Sequence, residues 1–225
     1  MIKVAHIGKR YGKKTVLKDI SFGAEPGEQI AIVGRNGCGK TTLMKILSGI
    51  QKPDHGTLEY YGQNPLQKKG CFRKLCGYVP QEDPLIEELS VKDNLKLWGG
   101  KKSLLDKRLR DMFDLDEIMK VTVHKLSGGM KRRVSIACAI SQWPSILFMD
   151  EPTAAVDLYY KRVLRDWMKQ YISMNGIIIL STHDEQEIKD SKRCFLLQEG
   201  QIKESCVPEV FTEIREENKR NGREI

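Results

Sequence analysis

Gly34-Arg35-Asn36-Gly37-Cys38-Gly39-Lys40-Thr41 lies between an apolar run, Gln29-Ile30-Ala31-Ile32-Val33, and a run of helix formers, Thr42-Leu43-Met44-Lys45-Ile46-Leu47. Its spacing is that of the phosphate loop, G-x-x-x-x-G-K-[ST]. The chemistry dictates the residue types. Glycines let backbone N–H groups close around phosphate oxygens, and the helix behind them adds positive field. Lys40 supplies a mobile cation, and Thr41 a hydroxyl suited to Mg2+. A strand running into the loop and a helix leaving it, stopped by Gly49, point to an α/β fold that binds a nucleotide.

Two further apolar runs, Ile146 to Met149 and Ile177 to Leu180, read with Ile30 to Val33 as buried parallel strands. Each runs directly into polar residues: Gly34 and its loop, Asp150-Glu151, and Ser181-Thr182-His183. In doubly wound sheets, ligands gather at the carboxyl ends of the strands. Three distant stretches therefore aim polar chemistry at one edge. Asp150 is placed to hold Mg2+ through water, and Glu151 to polarise an attacking water. A lone Asp-Glu pair after a strand more often reads as a helix cap and a surface charge; the phosphate loop reverses that preference.

Around this core, Ile2 to Ile7, Thr15 to Phe22 and Thr57 to Gly62 read as strands of a small antiparallel sheet packed on the parallel one. From Leu85 to about Val123 the pattern turns helical. Ser103 with Asp106 resembles a capping box, and Leu105, Leu109, Met112 and Phe113 follow helical spacing. An amphipathic helix is expected after Asp157, with Tyr160, Val163, Leu164, Trp167, Met168 and Tyr171 on one face. The organisation expected is one domain over 1–225. Residues 1–84 and 124–225 form the catalytic core, 85–123 a helical insert, and 206–225 a charged tail whose last part, 212–225, reads as a frayed helix.

Composition narrows the partners. The chain has 225 residues, 40% of them hydrophobic, and a formal net charge of +8. No apolar run approaches the roughly 18 residues that cross a bilayer, and the N-terminus lacks a signal peptide's apolar stretch. A cytoplasmic protein is expected, reaching a membrane through a partner. The basic runs, Lys68 to Lys74, Lys101-Lys102 with Lys107-Arg108, and Lys131-Arg132-Arg133, read first as solvated surface and second as a membrane-proximal face. No aromatic platform interleaves them, which disfavours nucleic acid. The six cysteines have no metal-binding spacing and read as reduced thiols, with Cys38 a candidate for oxidation that blocks the loop.

One motif is left unexplained by a single nucleotide site. Leu126-Ser127-Gly128-Gly129-Met130 opens a helical run and makes a second anion-binding nest. Taken together, the segments resemble the nucleotide-binding subunit of ABC transporters over residues 1 to about 205, a P-loop NTPase with a mainly parallel core sheet. That resemblance implies Tyr11 as the aromatic stacked on adenine with Val16 beside it, and Gly34, Asn36, Gly37, Cys38, Gly39, Lys40, Thr41 and Thr42 as the Walker A contacts. It also implies Gln81, in Tyr78-Val79-Pro80-Gln81, as the Q-loop ligand sensing Mg2+ and the γ-phosphate. Ser127, Gly128 and Gly129 become the signature, completing the ATP site of a second subunit. Thr41, Gln81 and Asp150 become the metal ligands, Glu151 and His183 the catalytic pair, and Asp157 a contact between subunits.

The implied function is ATP hydrolysis powering a separate membrane-spanning protein through ATP-driven pairing, as a homodimer or heterodimer, peripheral on the cytoplasmic face. Compactness after residue 205 favours an exporter-like, ABC-2-type system. The alternative is a soluble ATPase of the same family acting on nucleic acid or a protein complex. Two departures stand out: Met130 where glutamine is common, and Ala154-Ala155-Val156-Asp157 in place of Ser-Gly-Leu-Asp.

Overall fold

The computed structural model describes residues 1–205 except 69, 104, 105 and 155. The three apolar runs become β3 (Gln29–Val33), β6 (Ile146–Asp150) and β7 (Ile177–Ser181), every residue of each buried. They are neighbours: β7 pairs in parallel with β3 on one side and with β6 on the other. Alternation along β6 divides two cores. Ile146 and Phe148 face one cluster, with Ile30, Ile32, Ile177 and Ile179. Leu147 and Met149 face the other, with Ile178 and Leu180. A slip of one residue would exchange the two sets, so the register that carries Asp150 to the strand end is fixed by both faces.

The full sheet also holds β1 (Ile2–Tyr11), β2 (Lys14–Ala24), β4 (His55–Tyr60), β5 (Cys76–Val79), β8 (Arg193–Gln198) and β9 (Gln201–Ser205). Its order is β4-β1-β2-β9-β8-β3-β7-β6-β5. The expected small antiparallel sheet therefore is not a separate sheet. The β8–β9 hairpin bridges it to the parallel strands, because β9 pairs antiparallel with β8 and parallel with β2. The seam is narrow, with Asp19 opposite Gln201 and the Lys18 N–H donating to Gly200 O at 2.7 Å.

Helix α1 (Lys40–Leu47) buries Leu43, Met44, Ile46 and Leu47 against the first core. On the opposite face lie α3 (Val91–Ser103), broken at Gly100 where φ is 74°, then α4 (Lys107–Met112), α5 (Gly128–Ile140) and α6 (Leu158–Ser173). Leu95, Leu109 and Phe113 join Leu147 and Met149 in one cluster, so the helical segment shares its core with the sheet. Ser90 and Thr122 pair across the base of that segment. Asp106 caps α4, accepting from the Leu109 N–H at 3.1 Å; the side chain of Ser103, its partner in the expected capping box, lies outside the described residues. Leu105 and the tail helix lie outside the described residues. Short helices α2 (Cys71–Leu75) and α7 (Glu185–Asp190) complete the α-helices of the described residues. Among the described residues, no helix is long and apolar enough to cross a membrane.

Candidate active site

The carboxyl ends of β3 and β6 deliver their loops to one cavity of about 290 Å3, and the loop after β7 brings His183, outside the lining, up to Lys40 and Glu151. Val16, Asn36, Gly37, Gly39, Lys40, Thr41, Thr42, Gln81, Asp150 and Glu151 line it, so most of the expected set is brought together. The glycines of the loop have reasons within the chain. At Gly34 a Cβ would lie 2.3 Å from Leu197 O. Gly39 has φ 115°, and its Cβ would meet Val16 at 2.9 Å. That second contact presses the loop against β2.

Lys40 is buried and folded back on its own loop, donating to Gly34 O at 2.6 Å and Arg35 O at 3.4 Å. Its Nζ also lies 3.0 Å from His183 Nε2. An ammonium can only donate, so Nε2 accepts and the ring proton sits on Nδ1. Burial, then the nearby Lys40 charge, lowers the His183 pKa to about 4, so the ring is neutral at physiological pH. Glu151 Oε1 is 3.3 Å from the same Nε2. With a neutral ring this is not an ion pair. Both atoms accept, and a donor held between them would satisfy the two together.

Asp150 and Glu151 differ sharply in setting. Asp150 is buried, its Oδ1 accepting from Ser181 Oγ at 2.5 Å while Oδ2 is buried with no partner. Such an oxygen calls for a cation or a strong donor. Thr41 Oγ1 and Gln81 Oε1 stand 3.5 Å apart at the same cavity. Three hard oxygen donors fit Mg2+. Glu151 has φ 50°, a left-handed conformation uncommon for a side chain, with its N–H donating to Ser181 O at 3.0 Å. Burial raises its pKa above the usual carboxylate range, opposed by Lys40. A carboxylate made more basic is suited to accept a proton from water.

Behind His183, Thr182 Oγ1 donates to Glu187 Oε2 and accepts from the Asp184 N–H at 2.9 Å. Glu187 is buried, and burial pushes its pKa up to about 7. Sequence reasoning passed over Glu187, which sits in α7 four residues after His183.

Other expected residues fall outside the cavity lining. Tyr11 is exposed, its hydroxyl bonded to Gln51 at 2.8 Å. Ser127 caps α5 through the Met130 N–H at 3.3 Å, and Gly128 follows it with open space around its missing Cβ. Asp157 caps α6 through the Tyr160 N–H at 3.1 Å, and the next two residues, Leu158 and Tyr159, are 83% and 66% exposed.

One expectation is overturned. Within Lys131-Arg132-Arg133, read as solvated surface, Arg132 and Arg133 are buried. Arg133 stacks over Tyr160 at 3.8 Å from the ring centroid and donates to Phe113 O at 3.3 Å. Arg132 reaches the loops of Gln81 and Glu151. A second cleft of about 910 Å3 shares Thr41 and Gln81 with the first and is lined further by Lys45, Ile50, Arg73, Lys74, Pro84 and Trp98.

Comparison with known proteins agrees with the geometry. A family model described as ABC transporter matches residues 17–154. Nod factor export ATP-binding protein I of Paraburkholderia xenovorans is 33% identical over 88% of this chain and 68% of its own length. Its counterpart in Sinorhizobium fredii is 32% identical over 83% of this chain and 56% of its own. Sulfate/thiosulfate import ATP-binding protein CysA of Pectobacterium atrosepticum is 30% identical over 93% and 68%. The chain thus spans 56% to 68% of the length of these relatives. The solved structure of an ATP binding subunit of an ABC transporter superposes with a TM-score of 0.85 at 22% identity, covering 96% of this chain and 99% of that one. The dimeric MJ0796 cassette superposes with a TM-score of 0.82 at 25% identity, covering 92% and 99%.

Proposed function

We propose that this chain, which belongs to the ABC transporter family, is the subunit that binds and hydrolyses ATP to drive a separate membrane-spanning protein. The observation that carries this reading is the convergence of Lys40, Thr41, Gln81, Asp150 and Glu151 on one cavity at the N-terminus of α1. The loop 34–41 offers backbone N–H groups to the phosphates, and Lys40 turns from Gly34 O to a phosphate oxygen. Thr41, Gln81 and Asp150 would hold Mg2+, which supplies charge neutralisation for the phosphate oxygens. Glu151 accepts the proton of the attacking water. Once Lys40 turns away, His183 Nε2 loses its donor and is free to hold that water beside Glu151.

Pairing follows from Gly128. The fold of this chain gives no steric reason for a glycine there, and glycine in a helix costs up to about 1 kcal/mol relative to alanine. A demand from outside the chain accounts for it: the phosphates bound by a second subunit, approached by Ser127, Gly128 and Gly129. Exposed Leu158 and Tyr159, beside Asp157, suit the same partner face. The larger cleft, with Trp98 and Ile50 among basic side chains, receives a cytoplasmic helix of the membrane protein. Nothing in the site favours the soluble alternative, and the relatives above are named for export and import alike. The proposed location is the cytoplasmic face of a membrane.

The test is ATP-driven pairing. Ser127→Arg should keep ATP affinity in the isolated chain and abolish the dimer seen by light scattering when Glu151→Gln is also present. A dimer that survives Ser127→Arg rejects the shared site.

A further inference from the structure

Arg132 is 3% exposed, and the sequence around it suggested a solvated charge. Its guanidinium is wedged between the loops that leave the carboxyl ends of the paired strands β5 and β6, far apart in sequence. Nε donates to Pro152 O at 3.1 Å, and Nη2 donates to Asp150 O at 3.0 Å and Glu151 O at 2.8 Å. Nη1 donates to Pro80 O, to Gln81 O at 3.4 Å and to Asp83 Oδ1 at 3.2 Å. Five N–H groups on a rigid plane meet six acceptors, the long Gln81 contact sharing a hydrogen. Burying an arginine against carbonyls is an expensive way to fill a core, because aliphatic packing serves that end better. What the guanidinium adds is geometry.

We propose that Arg132 is a positioning residue for hydrolysis: it locks the backbones of Gln81 and Glu151 into one frame, fixing the separation between the glutamine on the metal side and the proton acceptor. The inference rests on the ATPase reading above. Glu151 sits at φ 50°, pinned at its N–H by Ser181 and at its carbonyl by Arg132. Such a conformation persists only while the surroundings over-determine it. Removing one pin lets the backbone relax and carries the carboxylate off line. Arg132 also stands five residues after Ser127 on α5, so a shift of that helix reaches both loops through one side chain. Lysine retains the charge and lacks the fork.

The experiment compares the full chain with Arg132→Gln and Arg132→Lys by three measurements: kcat for ATP, ATP affinity, and backbone hydrogen exchange in nucleotide-free protein. Losing several donors to one reactive frame should lower kcat at least about tenfold in Arg132→Gln, with ATP affinity within about threefold of wild type. Exchange at 81–83, Glu151 and Thr153 should quicken about tenfold or more while α1 is unchanged. Arg132→Lys should recover only part of kcat. Wild-type kcat in either variant overturns the inference. So does a loss of affinity parallel to kcat, or exchange that rises through α1 and β3 as well, since each marks a merely structural residue. If Arg132→Gln does not fold, the lysine variant decides alone. A wild-type chain that hydrolyses no ATP, with or without its membrane protein, removes the underlying reading; full activity in the variants removes only this inference.

Discussion

The phosphate loop and the Ser127–Gly129 segment are both glycine-rich and both open a helix, yet the chain treats them in opposite ways. The loop's glycines are demanded internally, by Leu197 O at Gly34, by Val16 at Gly39 and by a φ of 78° at Gly37. Its Lys40 is already engaged with His183, and Glu151 stands 3.3 Å from the same ring nitrogen. Gly128 meets nothing within 4 Å, and Ser127 is satisfied by its own helix. A glycine explained by its own fold speaks of structure. One left unexplained speaks of whatever comes to meet it.

That contrast can be broken most severely at the proton acceptor. Glu151→Gln should lower ATP turnover by about 10²- to 10⁴-fold while binding is preserved, as single-turnover assays and nucleotide titration would reveal. Turnover near wild type would move the chemistry elsewhere. Next in size is the sealed interior behind the loop. Glu187 titrates near 7 in the fold against 4.5 in its absence, so the native state holds more protons between these values. Stability is therefore lost as pH rises from about 4.5 to 7 and is level above that. Glu187→Gln removes the penalty, so its stability relative to wild type should increase by about 2.5 kcal/mol between pH 5 and pH 8 in denaturant titrations. A difference independent of pH would show that Glu187 is not titrating in this window.

A smaller effect is expected at the loop cation. Lys40→Ala removes charge-assisted hydrogen bonds worth about 1.5–3 kcal/mol, which isothermal titration would register as a ten- to hundredfold loss of ATP affinity. The smallest effect sharpens the contrast most. Gly128→Ala should stabilise the isolated chain by about 0.5–1 kcal/mol, because alanine favours helix and has room, yet turnover in the paired state should fall. Destabilisation would place the reason for Gly128 back within the chain.

The core strands were legible because β3, β6 and β7 are buried on both faces and read as unbroken apolar runs. Their polar ends were legible for the same reason. The hairpin β8–β9 was not, because β9 (Gln201–Ser205) has only Ile202 as an apolar residue and no run announces it. Arg132 was illegible on physical grounds. Its partners come from 80–83 and 150–152, and no local pattern marks a basic residue whose acceptors lie in remote loops. Glu187 is similar: its helix looks like an exposed acidic turn until Thr182 closes over it. Sequence motifs found most of the groups that line the cavity and missed those that hold them.

The slender join at the β8–β9 tip has a consequence for how lesions in this protein should be read. Gly200 has φ 77°, and a Cβ there would sit 2.9 Å from Val16 O. A bulkier residue at that tip pushes on β2 at Val16, the residue that meets the phosphate loop at Gly39. A variant at Gly200 would thus disturb the phosphate loop and pass for a lesion of the site, although Gly200 lies in a hairpin that lines no part of the cavity.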